Sequence, residues 1–373
     1  MHAANILHLG IKELRSLARD PMMLVLIVYA FTFAIYAGAT AMPESLHKAP
    51  IGIVDEDRSP LSMRIAAAFY PPYFAPPVTI TQAEMDARMD DGLDTFALDI
   101  PPDFQRDLLA GRQPTIQLNV DATRMSQAFT GNAYVQTIVG NEVSAFVQHY
   151  RADVVPPVEL VLRARFNPGL NRSWFGAVMQ VIDKVTMLAI VLTGAALIRE
   201  REHGTIEHLL VMPVTPFEIM TSKVWAMALV VLAACALSLS FVVQGLMAVP
   251  IEGSIALFLA GTAVHLFATT SMGIFLGTIA RSMPQFGLLL MLVLLPLQIL
   301  SGGTTPRESM PELVQLVMLA APTTHFVILA QAILYRAAGL AVVWPQFLAL
   351  AVIGSGLFGY ALARFRTSIT SMT

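Results

Sequence analysis

The sequence predicts an α-helical membrane protein of six transmembrane helices, with an α/β domain between the first and second spans. Three observations lead there. Hydrophobic residues make up 55% of the 373 and charged residues only 13%, whereas about a quarter of a soluble protein is charged. The apolar residues gather in runs of spanning length, since about 20 residues are needed to cross a hydrocarbon core about 30 Å thick. Residues 43–173 hold 16 of the 26 acidic residues, 11 of the 23 basic ones and no long apolar run, which is the composition of a soluble domain.

From the N-terminus, Leu7, Ile11, Leu14 and Ala18 fall on one helical face and Lys12, Glu13, Arg15 and Arg19 on the other. Residues 1–21 therefore read as an amphipathic helix lying along the cytoplasmic membrane surface, ended by Asp20-Pro21. The run Met22–Met42 is 21 residues, too long for a signal-peptide core, and is expected to stay as the first span.

Within residues 43–173, Ile51 to Val54 reads as a strand, and Ser59-Pro60 caps a helix running to Phe69. A proline-rich connection follows. Thr81–Gly92 is expected to be helical, Thr95–Ile100 extended and Pro102–Ala110 helical. Thr115–Val120 alternates as a strand and leads through Asp121 into a long helix ending near Tyr150. Asp55, Asp57, Asp86, Asp90, Asp91 and Asp94 invite a metal reading. Their positions suit turns and a solvated helix face better, because aspartate favours turns and caps, and no calcium-loop spacing is present. No metal and no cofactor is expected.

Further spans are predicted over Phe175–Ile198, Trp225–Val249, Ile255–Ala280, Gln285–Leu300 and Pro345–Ala363 within a membrane domain of residues 174–373. Lys12, Arg15, Arg19, Arg199, Arg201, Lys223, Arg281, Arg364 and Arg366 then share one side, against Arg307 and Arg336 in the short loops opposite. Cytoplasmic loops are the positive ones, so both termini are expected inside and the α/β domain outside. Residues 302–343 contain two apolar pieces too short to span, separated by Pro322 after the flexible Gly302-Gly303. They are expected to dip into the outer leaflet as a re-entrant hairpin.

One long polar insert interrupts the hydrophobic half, residues 199–223. Gly204 weakens the arriving helix, Ile206, Leu209 and Leu210 suggest a short amphipathic helix, and Pro213 stops it. Thr215-Pro216-Phe217-Glu218 then supplies an N-cap, a proline at the first position and a capping-box glutamate. Two helices meeting at a stiff corner can dock onto a soluble partner and pass on its motion. The series Glu200, Arg201, Glu202, Gly204, Thr205, Glu207, followed by Pro213, Glu218 and Lys223, resembles the cytoplasmic loop of ABC-2 type permeases, the membrane subunits of ABC exporters. The resemblance runs over essentially the whole chain. It implies that these residues, with Leu209, couple to a separate ABC ATPase, that an α/β domain follows the first span, and that re-entrant helices close the outer end. It further implies a cell inner-membrane location, a second permease subunit (a homodimer or a similar permease) and a periplasmic adaptor as partners, besides membrane lipid.

No Gly-Lys dipeptide occurs, so the phosphate-binding loop is missing from this chain, and HExxH and G-x-S-x-G are missing too. The expectation is a transport subunit, not an enzyme. Gly354-Ser355-Gly356-Leu357-Phe358-Gly359 matches a dinucleotide fingerprint only formally, because no strand precedes it; small residues for close helix packing explain it better. Gly273 and Gly277 read likewise, with a dimer seam as one use. A net charge of −3 and the lack of a basic tract exclude nucleic acid as an expected partner. The single cysteine, Cys235, excludes an intrachain disulfide.

Asp183, Lys184 and His265 fall inside spans, where ionisable groups mark candidate transport paths. The favoured reading is a permease that couples ATP hydrolysis to export of a hydrophobic or amphipathic substrate. The alternatives are a mechanical transmitter working a periplasmic adaptor, and an ion-driven transporter using these three residues. The latter class is often built from internal repeats, and none is visible here.

Overall fold

The computed structural model describes residues 2–40, 46, 48–121, 125–150, 171–202, 214–305 and 307–370. They form two compact units: residues 1–41 with 164–373, and residues 42–163.

The first unit is all helical. Helix α1 (His2–Ala18) ends where Asp20 caps α2 (Pro21–Phe31), its carboxylate accepting from the Met23 amide at 3.2 Å. The predicted first span is not continuous. The backbone breaks at Thr32 (φ −121°, ψ −86°) before resuming as α3 (Phe33–Thr40). A break at membrane depth strands backbone polar groups, and here the Phe31 carbonyl accepts from the Ser238 hydroxyl at 2.6 Å.

Helix α8 (Arg172–Glu202) runs past the predicted end of the second span and is the centre of this unit, most of its apolar stretch being buried. The third span also starts earlier than expected, as α9 (Pro216–Ser238), and finishes in a π-helical stretch, Leu239–Leu246. The fourth is α10 (Ile255–Ile279). A methyl group on Gly273 would lie 2.6 Å from the Ile190 carbonyl oxygen, and one on Gly194 would lie 3.0 Å from the Gly273 oxygen. The paired small residues of α10 therefore let it close on α8 within one chain, and the dimer-seam use proposed for Gly273 and Gly277 is replaced by this intrachain contact. Gly354 plays a similar part on α14 (Leu340–Thr370), where an added methyl would meet Phe267 at 2.8 Å.

Helix α11 (Met283–Ile299) has 17 residues and contains Pro296, at the lower limit of about 17 for a spanning helix. After a short 3₁₀ turn at Arg307–Ser309 come α12 (Glu312–Met318) and α13 (Pro322–Leu334), bent by 87° to one another. Among the described residues, five helical stretches, Pro21–Thr40 taken as one, are long and apolar enough to cross a bilayer, or six if the bent pair counts as one span.

The second unit, lying in sequence between the first and second spans, is built on a four-stranded sheet ordered β2-β1-β3-β4. Strands β1 (Ile51–Asp55), β2 (Val78–Thr79) and β3 (Phe96–Ile100) are parallel, and β4 (Gln117–Val120) is antiparallel to β3. The sequence reading missed β2, whose two residues follow the proline-rich connection. Ile51, Ile53, Phe96, Leu98 and Ile100 point to one face, where they pack with α4 (Pro60–Ala67), α6 (Phe104–Leu109) and α7 (Met125–Tyr150). Val54 and Ala97 point to the other face, against α5 (Gln82–Asp90). This is the alternation a strand imposes. The acidic residues serve as local fasteners: Asp55 accepts from Ser62 and from the Arg58 amide, Asp57 accepts from the Gln105 amide, and the buried Asp94 is paired with Arg88 at 2.7 Å.

Candidate functional site

Four charged side chains meet where α1 crosses α8 and α9. Lys223, on the second turn of α9, is 1% exposed. Its ammonium lies 2.9 Å from Glu13 Oε1 and 2.8 Å from Glu200 Oε2. Lys12 closes the group from the outside, 2.6 Å from Glu200 Oε1 and 3.4 Å from Glu13. The two positive and two negative charges compensate one another, which a buried cluster requires. Burial works against the Lys12 ammonium, but Glu200 and Glu13 prevail and raise its pKa above the ordinary lysine value. Arg199 pairs with Asp20, so α1, α2 and α8 are tied at a second point.

Glu218 is also buried. Its carboxylate accepts from the Thr215 amide at 2.7 Å and from its hydroxyl at 3.0 Å, while Thr215 accepts from the Glu218 amide; this is the capping box read from the sequence, with Pro216 at the first helical position. The same carboxylate accepts from Asn5 of α1 at 3.2 Å. On the other flank, Glu202 accepts from the Met283 amide at 3.0 Å and Arg201 donates to the Ala280 carbonyl at 2.8 Å, fixing the end of α8 to the α10–α11 turn. A cavity of about 320 Å³ lies beside this cluster, between Lys12, Leu17, Ala196, Arg199 and Met227.

The sequence reading placed Glu200, Glu218 and Lys223 in a polar loop. In the structure their side chains face inward and hold α1, α8 and α9 together. It also placed Glu13 on the polar face of α1 and Leu7 on the apolar one. For Glu13 that assignment is overturned, because α1 has a protein neighbour: Gly10, Glu13 and Leu17 face the bundle, while Leu7 is exposed on the protein's surface. Gly10 brings α1 against Trp225, whose indole donates to the Ile6 carbonyl at 3.3 Å. Gly204, Thr205, Glu207, Leu209 and Pro213 lie outside the described residues.

His265 is fully buried at the meeting of α8, α10 and α13. Its Nε2 lies 2.9 Å from the Thr186 hydroxyl, and its ring stacks on Phe326 with centroids 4.0 Å apart. Asp183 and Lys184 are half-buried on α8, Asp183 one turn before Thr186 on the same face. Three buried polar atoms, His265 Nδ1, Thr323 Oγ1 and Thr324 Oγ1, have no hydrogen-bond partner among the described residues. The threonines escaped the sequence reading, although a Thr-Thr pair directly after Pro322 was a signal for it.

At the bent helix pair, Gly302 has φ +95°, which favours glycine. An added methyl on Gly303 would sit 1.9 Å from Met179 Cε. Pro322 starts α13. Tyr335 anchors the far end, its hydroxyl donating to the Phe175 carbonyl at 3.0 Å and its ring stacking on Phe175.

A sequence profile described as ABC-2 family transporter protein matches residues 21–363. The chain belongs to this family. It is 64% identical over 371 residues to the inner membrane transport permease YhhJ of Escherichia coli (strain K12), with 100% of this chain and 99% of that protein covered. The probable multidrug ABC transporter permeases YbhR and YbhS of the same organism are 26% and 25% identical. For YbhR the alignment covers 96% of this chain and 97% of the relative; for YbhS it covers 86% and 85%. As an ABC-2 permease the chain is the membrane subunit of an ABC transporter, a multi-pass inner-membrane protein without a catalytic domain, and ABC-2 permeases pair with ABC ATPase subunits.

Proposed function

We propose that this permease is the membrane half of an exporter in which residues 203–213 receive the stroke of a cytoplasmic ATPase and the Lys223 cluster passes it to the spans. The observation that carries this reading is the clamp on both sides of that segment. Helix α8 ends at Glu202 and α9 starts at Pro216, and Glu200 and Lys223 join the two helices to each other and to α1. A push on the segment between them cannot be absorbed by either helix alone. Both termini are cytoplasmic in this reading and the α/β unit is periplasmic, in keeping with the excess of Lys and Arg at the clamp end. Thr205, Glu207 and Leu209 make the docking contact, Gly204 and Pro213 set its corners, and Gly302, Gly303 and Pro322 shape an outer gate. Asp183, Lys184 and His265 border the path, a second permease subunit completes it, and a periplasmic adaptor receives the cargo. The cargo is a hydrophobic or amphipathic small molecule. Two relatives named as probable multidrug permeases support that choice.

The test is co-purification of the ATPase and permease-stimulated hydrolysis with a Glu207→Ala, Leu209→Ala variant. Stable, membrane-inserted protein that binds the ATPase less and no longer stimulates it is expected. Normal binding with normal stimulation would falsify the coupling role.

A further inference from the structure

The sheet unit of residues 42–163 contains an open apolar cavity of about 440 Å³ between β3, α6, β4 and α7. Leu98, Phe104 and Val135 are buried at its floor, while Leu118, Val139 and Val143 in its walls are only half-buried. Its volume falls in the range of about 300–1,000 Å³ found for small-molecule sites. Two turns of helix, about 10 Å across and about 11 Å long, would occupy roughly twice as much, so a helical segment does not fit.

The lining is apolar apart from three groups, Arg112, Gln113 and Gln136, and Arg112 is the one charge among the lining residues. Asp107, outside the lining, accepts one guanidinium contact from Arg112; a guanidinium has five N–H donors, so others are left for a ligand. Gly140 of α7 is one of the lining residues, and a methyl added there would meet nothing within 4 Å.

We propose that this cavity is a binding site for a small amphipathic anion, with its apolar body on Leu98, Phe104 and Val135 and its acidic group at Arg112. The proposal deepens the exporter reading and rests on it for one step, that this class of molecule is the cargo.

The probe is 11-(dansylamino)undecanoate, titrated into the full permease in lipid nanodiscs without ATPase or nucleotide, with the signal of empty nanodiscs subtracted. One saturable site per permease is expected. Gly140→Trp fills the cavity from a position with free space around it and should weaken binding by about tenfold or more, the measure of a blocked apolar pocket. Arg112→Gln leaves the walls intact and should weaken the carboxylate probe by about fivefold, one exposed charge-assisted contact, without changing the affinity of its neutral amide. Equal binding of the carboxylate by wild type and Gly140→Trp overturns the site and leaves the exporter reading untouched. ATP-driven uptake of the same probe into inverted vesicles, measured with the ATPase present, separates the two ideas. Uptake that falls in Gly140→Trp supports the cargo role, and equal uptake by wild type and variant overturns that role.

Discussion

Removing the Lys223 ammonium while Glu13 and Glu200 stay in place would leave two carboxylates facing each other beside the half-exposed Lys12. Loss of one partner from a buried ion pair costs about 3–5 kcal/mol, so Lys223→Ala is expected to lower the thermal stability of the detergent-solubilised permease by that order. Lys223→Met with Glu13→Gln removes one charge of each sign and leaves the Lys12–Glu200 pair matched. The double variant should recover more than half of the loss in the same melting experiment, whereas Lys223→Met alone should not; a double variant no more stable than Lys223→Met alone would show that the unpaired carboxylates are not the cause of the loss. The two ends of this cluster differ in how far the sequence disclosed them. The Thr215–Glu218 capping box is a contact over three residues, and its residue types alone identify it. The Lys223–Glu13 pair joins positions 210 residues apart. No local pattern reports it, and a lysine beside a charged stretch looks like part of a solvated loop.

At the scale of elements, helix breaks show the same difference. Pro322 between two short apolar runs announced the bent pair, because proline and length are both read locally. The break at Thr32 has neither proline nor glycine beside it, and what sustains it is a hydroxyl from another helix. Ser238→Ala should therefore cost about 0.6 kcal/mol and at most about 1.7, the average and the maximum measured for hydrogen bonds between membrane helices. Ser240→Ala should cost less than about 0.5 kcal/mol, as expected of an exposed side chain whose hydroxyl bonds only the Ala236 carbonyl of its own helix. The comparison is of unfolding midpoints for the two variants in one detergent, and equal midpoints would remove Ser238 as the support of the break. The small residues of α10 carry a related lesson: Gly273 and Gly277 say that a helix can come close, but whether the neighbour is α8 or a second subunit depends on Ile190 and Gly194 of α8, distant in sequence.

For the whole molecule, composition divided the chain well because the two environments select different residues: charge is costly in hydrocarbon and cheap in water. The course of the sheet was less legible, since β2 has two residues and gains its identity only from pairing with Gly52 and Ile53. The proposed orientation rests on the charge asymmetry of the short loops, and it can be measured directly. Cys235 is the only cysteine and is fully buried, so the native chain serves as its own unreactive background. Met63, on α4 of the sheet unit, is 57% exposed, and His8 is exposed on α1. In spheroplasts, a membrane-impermeant maleimide should modify Met63→Cys at once and His8→Cys only after the membrane is permeabilised. Neither substitution removes a Lys or Arg, so neither disturbs the charges that set the orientation. Modification of His8→Cys in sealed spheroplasts, with Met63→Cys protected, would invert the arrangement. Residues 203–213 would then lie on the side away from ATP, and the coupling role would have to be given up.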